Sequence, residues 1–240
     1  MFSPIVLAHW LPDAGSAPAD DGVVVAIDPA LPATRAVSLL RTEGGSTILS
    51  LSPERAGEFD LAAGTRLDDE ELSALLQRHG ITLNDPDHLF YLPHADHAGL
   101  RAERVAPETR PLSTADAVRF ADFGADAPED ELDEAFVELD HWLVYGTFVE
   151  DRLVCAASMY PWSGTRFADL GVITLPEFRG RSLARRTVRA IGAAALERGY
   201  EPQYRCQIDN VASVALARAA GFARFGTWEV AVEGTPLEDF

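Results

Sequence analysis

The 240 residues carry 38 Asp and Glu against 20 Lys and Arg, a formal net charge of −18, and every basic residue is an arginine. That balance argues against non-specific nucleic-acid binding, which needs a basic footprint, and no apolar run approaches the roughly 20 residues that span a bilayer. A hydrophobic fraction of 47% with 24% charged residues is that of an ordinary globular chain, expected in the cytoplasm and long enough for one large core or two modest ones.

The first hundred residues read as a mixed, less regular unit. Met1 to Leu7 lacks basic residues and meets Pro12 and Asp13 early, which makes a poor signal peptide. Val23 to Ile27 reads as a strand ended by Asp28-Pro29. Val37 to Arg41 and Ser46 to Leu51 flank Glu43-Gly44-Gly45, a hairpin signal. Leu67 to His79 reads as a helix with Leu72, Leu75 and Leu76 on one face and Gly80 closing it. His88 to Leu92 resembles a short strand, and Pro93 to Thr109 reads as a linker. His79, His88, His94 and His97 have no ligand spacing, so no metal site is expected. Cys155 and Cys206 are far apart in strand-like surroundings and are expected as small buried hydrophobes.

After the linker the signals sharpen. Ser113-Thr114-Ala115-Asp116 is a capping box before a short helix, and Pro128 stands at the start of a second helix with an apolar stripe of Leu132, Ala135, Phe136 and Leu139. Trp142 to Val149 and Arg152 to Tyr160 alternate around Glu150-Asp151 as an antiparallel hairpin. Phe167 to Leu175 is the next strand, followed by a helix over about 182–198 that ends at Gly199. Tyr204 to Ile208 reads as a strand, Asn210 opens a helix closed by Gly221, and Phe222 to Val232 is the last strand.

The chemistry concentrates between the strand and the helix. Pro176-Glu177-Phe178-Arg179-Gly180-Arg181-Ser182-Leu183-Ala184 places a glycine turn with two arginines before a helix start. The first turn of a helix leaves N–H groups unpaired at the positive end of its dipole, so this is a natural anion site. Gly180 permits close approach or a positive φ, and a diphosphate is the simplest matching ligand. Lysine-dependent P-loops are excluded, and no G-x-G-x-x-G is present.

Thr174 to Ala184 resembles motif A of the GNAT superfamily of N-acetyltransferases, [QR]-x-x-G-x-[GA]. Asn210-Val211-Ala212-Ser213-Val214-Ala215-Leu216-Ala217-Arg218-Ala219-Ala220-Gly221-Phe222 looks like motif B, N-x-x-S-x-x-L-Y-x-x-x-G-F, and Thr109 to Asp116 looks like the opening of such domains. The resemblance implies an α+β (α/β) fold: a GNAT-like, mixed but mostly antiparallel twisted sheet flanked by helices over 105–240, preceded by a smaller α/β domain over 1–104. It implies acetyl-CoA as co-substrate, with backbone groups of Val172, Ile173 and Thr174 pairing with the pantetheine arm. The amides of Arg179, Gly180, Arg181, Ser182, Leu183 and Ala184 would hold the pyrophosphate, and Asn210 and Ser213 would lie near the thioester. The expected activity is direct transfer of acetyl to a primary amine of a small molecule or peptide, and the acidic surface suits a cationic acceptor. A homodimer is left open.

Two departures stand out. Ser182 occupies the second glycine of motif A, harmless if its φ is ordinary, and Ala217 occupies the position of the tyrosine that protonates the leaving thiolate. Asp169 is the one carboxylate of the strand before the turn and the candidate base or amine anchor; otherwise it faces solvent. Tyr204 is the candidate acid if its strand faces the cleft, and His141 and Trp142 are candidates to line the acceptor site. The missing tyrosine keeps a second reading open, a non-catalytic acyl-CoA-binding or sensing module. A third makes the domain structural.

Overall fold

A computed structural model describes residues 1–11, 22–162 and 164–232. Pro12 and Asp13, which interrupt the N-terminal apolar run, lie outside them. In chain order the first elements are α1 (Pro4–Trp10), β1 (Val23–Ile27), β2 (Val37–Thr42), β3 (Thr47–Leu51), α2 (Pro53–Glu58), β4 (Arg66–Leu67), α3 (Asp69–Arg78), β5 (Asp87–Tyr91) and α4 (His97–Arg101). They are followed by β6 (Thr109–Pro111), α5 (Ala117–Asp126), α6 (Glu129–Ala135), β7 (Leu143–Val149), β8 (Arg152–Pro161), β9 (Phe167–Thr174), α7 (Leu183–Glu197), β10 (Glu201–Gln207), α8 (Val211–Ala220) and β11 (Ala223–Val230). The result is the expected mixed α/β fold, with mostly antiparallel sheet flanked by helices. Among the described residues no helix is long and apolar enough to cross a membrane.

The chain makes two compact units, each discontinuous in sequence. One comprises Met1–Pro12, Phe90–Arg205 and Asn210–Ala223; the other comprises Asp13–Leu89, Cys206–Asp209 and Arg224–Phe240. A single cut between residues 104 and 105 would pass through the first.

In the second unit the strand order is β4-β1-β3-β2-β11, with β1 and β3 parallel and the other pairs antiparallel. Period-two alternation buries Val23 and Val25, Leu49 and Leu51, while Val37 and Leu39 come from β2. Ala56, Phe59, Leu72 and Leu75 cover them from α2 and α3. The β2–β3 hairpin turns at Gly45, φ +87°, as its glycines foretold. The capping box of Asp68 and Glu71 starts α3, two residues later than the apolar pattern suggested.

In the first unit the order is β10-β9-β8-β7-β6; β9 and β10 are parallel and the remaining pairs antiparallel. One sheet face is covered by α7, whose Leu183, Val188, Ile191 and Ala195 are buried. Beneath it Thr147 Oγ1 lies 2.7 Å from both Thr109 Oγ1 and Thr187 Oγ1, and Thr187 donates to Cys155 Sγ at 3.4 Å. The opposite face packs Ala156, Ile173 and Val144 against Phe123 and Val137, with Phe120 and Leu132 beside them. Burial pushes the Cys155 thiol up, in keeping with a packing role; Cys206 is half-buried.

Three local expectations give way. The supposed linker of 93–109 contains α4, which buries His97 and Leu100. The helix read through Leu139 stops at Ala135, because Phe136 turns left-handed at φ +47°. No element was foreseen in the first ten residues, yet α1 forms, capped by Ser3 with Pro4 at its start. Its Trp10 ring stacks on Phe167, and its indole N–H donates to Tyr91 Oη at 2.7 Å.

Candidate active site

The β9–β10 ladder runs from Phe167↔Glu201 to Leu170↔Tyr204 and stops. Gly171 and Arg205 come next in each strand, outside the ladder, so the two strands part there. β9 continues from Gly171 to Thr174 in register with β8, where Ser158 opposes Gly171 and Cys155 opposes Thr174. Leu175 N–H donates to Val154 C=O at 3.0 Å. Residues facing each other across an antiparallel pair alternate between bonded and non-bonded. Ile173 and Gly171 therefore spend their backbone groups on β8, while Val172 and Thr174 turn theirs outward into the fork. This corrects one expectation: the backbone of Ile173 belongs to β8 and drops out of the free edge.

The edge leads into the arginine turn. A 3₁₀ turn over Pro176–Phe178 precedes Arg179, which is extended; Gly180 follows at φ +75°. Ser182 also stands left-handed, φ +61° and ψ +18°. The benign case of an ordinary helical φ at Ser182 is thus not realised: the serine holds the backbone of the glycine it replaces. The helical ladder of α7 begins with Arg186 N–H donating to Ser182 C=O at 3.2 Å, so the amides of Leu183, Ala184 and Arg185 precede it. A Cβ on Gly180 would meet nothing within 4 Å, which leaves open space above the turn.

The arginine side chains have partners of their own. Arg179 Nε donates to Thr174 C=O at 3.1 Å, and its guanidinium pairs with Glu131 on α6. Arg181 donates to Glu177 C=O at 3.1 Å and lies 5.1 Å from the Phe178 ring centre. Asn210 caps α8, its Oδ1 accepting from Ser213 N–H at 3.0 Å, and its Nδ2 donates to Glu134 Oε1 at 3.3 Å. The acidic helix α6 therefore touches both motifs. Ala217 is fully buried.

Asp169 is buried, not solvent-facing. Its carboxylate accepts from Arg205 (Nη2 to Oδ2, 2.6 Å; Nε to both oxygens, 3.2 Å), from Gln203 Nε2 at 3.0 Å and from Tyr160 Oη at 3.1 Å. Gln203 in turn accepts from Tyr91, which receives the Trp10 indole. Burial, and then the Asp169 charge, push the Tyr160 phenol up to about 12. Burial also raises the Tyr91 phenol. Tyr204 pairs in register with Leu170, one residue out of phase with Asp169, so it projects from the other sheet face. There its ring meets Phe90 and Phe222. Asp169 and Tyr204 are not brought together.

Next to Asp169 on its own face, Tyr160, Phe136 and His141 form a ring cluster with centroids 4.9 to 5.6 Å apart. Gln203, Arg205, Tyr160, Ser158 and Glu138 were not singled out from the sequence. The i, i+2 spacing of Gln203 and Arg205 was a usable signal, but only with the β9–β10 register in hand. Among the described residues no group of three or more His, Cys, Asp or Glu is placed to hold a metal ion.

Comparison with known proteins fits this geometry. Residues 130–231 match the family model for GNAT acetyltransferases. No curated protein matches. A GNAT-family acetyltransferase from Colwellia psychrerythraea is 17% identical, with 76% of this chain aligned to 75% of that one at a TM-score of 0.50. Another from Novosphingobium aromaticivorans is 20% identical over 63% of this chain, which spans 66% of that protein's length, at a TM-score of 0.45. An aminoglycoside antibiotic 6'-N-acetyltransferase from Acinetobacter haemolyticus is 19% identical over 49% of this chain and 91% of its own, at a TM-score of 0.37. Residues 130–231 of this chain are a GNAT acetyltransferase domain.

Proposed function

We propose that the protein transfers an acetyl group from acetyl-CoA to a primary amine by direct attack. The observation that carries the reading is the edge of β9 that faces the fork, where Val172 and Thr174 turn outward and the Thr174 carbonyl meets Arg179 Nε; it ends in a turn with two left-handed residues at the start of α7. An extended ligand arm adds to such an edge as a strand does, through main-chain bonds. A diphosphate at its end meets the amides of Gly180 to Ala184 and the positive end of a helix of 15 residues, whereas the Arg179 amide, expected to join them, donates to Pro176 C=O at 3.2 Å. The thioester supplies an activated acyl carbon; the outward Val172 N–H is the donor aimed at its carbonyl oxygen. Arg179 and Arg181 sit where the phosphates would lie, Arg179 exchanging Glu131 for them. Asn210 and Ser213, linked at the cap of α8, are taken as further contacts near the thioester. Asp169 enters as an anchor holding Arg205 and Tyr160 beside the fork, since its oxygens are already occupied by three side chains. The reading keeps a cytoplasmic setting and an amine acceptor, cationic in kind.

Calorimetric titration of coenzyme A tests the site. Gly180→Asp puts a carboxylate where the pyrophosphate is expected and should weaken affinity by at least tenfold; unchanged affinity would show that the cradle lies elsewhere. Fully buried Ala217, in the place of the family's tyrosine, favours a second reading, an acyl-CoA-binding module without turnover. Binding of acetyl-CoA with no thiol release across a broad panel of amines would select it.

A further inference from the structure

Ser158 has one hydroxyl proton and two lone pairs, and its three neighbours fix how they are used. Phe136 C=O can only accept, and Ser158 Oγ donates to it at 3.5 Å. Glu138 N–H can only donate, and it gives to Ser158 Oγ at 3.4 Å. The remaining lone pair faces His141 Nδ1 at 2.8 Å, an arrangement that is met by the ring tautomer with its proton on Nδ1. Neutral His141 then presents a bare lone pair at Nε2, and that atom lies 3.5 Å from Glu138 Oε2. A carboxylate facing an unprotonated nitrogen is an arrangement that wants a cation with protons to give.

The surroundings have the same character. The His141 ring is packed with Phe136 and Tyr160, and Phe136 is half exposed. Ring faces attract alkylammonium groups. Ser158 opposes Gly171 in the β8–β9 register, and Gly171 precedes Val172 at the fork. Among the described residues the charged and titratable groups beside His141 include its chain neighbour Asp140, Glu138 before β7 and Tyr160 on β8, with Asp169 of β9 and Arg205 of β10 behind Tyr160.

We propose that Glu138, His141, Phe136 and Tyr160 form the acceptor subsite, which takes a primary alkylammonium and removes its proton to His141 Nε2. The inference rests on the acetyltransferase reading. Glu138 holds the ammonium; Nε2 takes one proton and passes it to solvent. The freed nitrogen lone pair attacks the acyl carbon of the thioester, the C–N bond forms, and the C–S bond breaks with its electron pair on sulfur. The second proton shed by the nitrogen goes to that thiolate, leaving an amide and a free thiol.

Ring ¹⁵N spectroscopy and pH-dependent kinetics test it. The neutral His141 ring should be the Nδ1–H tautomer, and Ser158→Ala should release it toward Nε2–H; an Nε2–H ring in the wild type overturns the assignment. With spermidine, tyramine and kanamycin as acceptors, His141→Gln should lower kcat/KM about 100-fold at pH 7. The deficit should shrink toward pH 10, where the free amine loses its own proton. Coenzyme A affinity should be unchanged. A wild-type pH profile in His141→Gln overturns the proposal. So does a wild type that binds coenzyme A, acetylates none of the three amines and shows no Nε2 shift when they are added. A wild type that does not bind coenzyme A instead defeats the acetyltransferase reading.

Discussion

At position 182 the backbone and the side chain disagree. The turn into α7 needs a left-handed residue, and the chain supplies serine at φ +61°. A Cβ in that region costs about 1–2 kcal/mol, and glycine's greater freedom when unfolded offsets about 0.5–1 kcal/mol of any relief. Ser182→Gly is therefore expected to raise stability by about 0.5–1 kcal/mol in urea denaturation. A loss instead would mean that the hydroxyl makes a stabilising contact in this turn. The conformation was partly legible: the motif identified 182 as a glycine site, but a sequence does not say whether the substituted residue relaxes the turn or endures it. Asp169 was legible only as the lone carboxylate of its strand. Its burial depends on Arg205 and Gln203, 36 and 34 residues further on, which a register of parallel strands brings alongside.

Among the elements, α6 carries the tightest geometric condition. Its C-terminal carbonyl, Ala135 C=O, sits where a side chain on Gly171 would be: a Cβ there would lie 1.9 Å from the oxygen and 3.3 Å from Val137 Cγ2. The obstacle is backbone, so the strand or the helix has to move. Gly171→Ala should cost about 2–3 kcal/mol, at the upper end of overpacking penalties, read from urea denaturation midpoints. It should also weaken coenzyme A binding, because a shift at Gly171 displaces Val172 beside it and because α6 holds Asn210 through Glu134. Stability within 0.5 kcal/mol of wild type, about the spread of surface substitutions, would show that α6 is not seated on the strand. The existence of α6 was readable from Pro128 and the apolar stripe of Leu132 and Ala135. Its seat was not, since a glycine in a strand marks a close approach without naming the partner. The fork at Gly171 and Arg205 was equally hidden: both strands were foreseen, but where a ladder stops is a property of the pair.

At the scale of the whole molecule, the motifs point to the stretch between 172 and 222, but the segment needed to build that unit is larger. Phe90, Tyr91 and Leu92 are fully or nearly fully buried in it. Tyr91 lies in the chain of hydrogen bonds from Trp10 to Gln203 and Asp169, and Trp10 stacks on Phe167 at the head of β9. These contributors come from residues before 93, outside the stretch of GNAT resemblance, and nothing in their sequence ties them to it. A fragment of 105–240 would lose all of them and leave Phe167, Gln203 and Asp169 facing water or each other. Losing one buried aromatic alone costs about 3–5 kcal/mol, against a whole-domain stability of about 5–15 kcal/mol. Three such rings, Trp10, Phe90 and Tyr91, go together here. The fragment is therefore expected to lack a cooperative unfolding transition and to show poor proton chemical-shift dispersion, while the full chain melts sharply and binds coenzyme A. A well-dispersed, cooperatively folding 105–240 fragment would mean that α1 and β5 only lean on the unit rather than complete it.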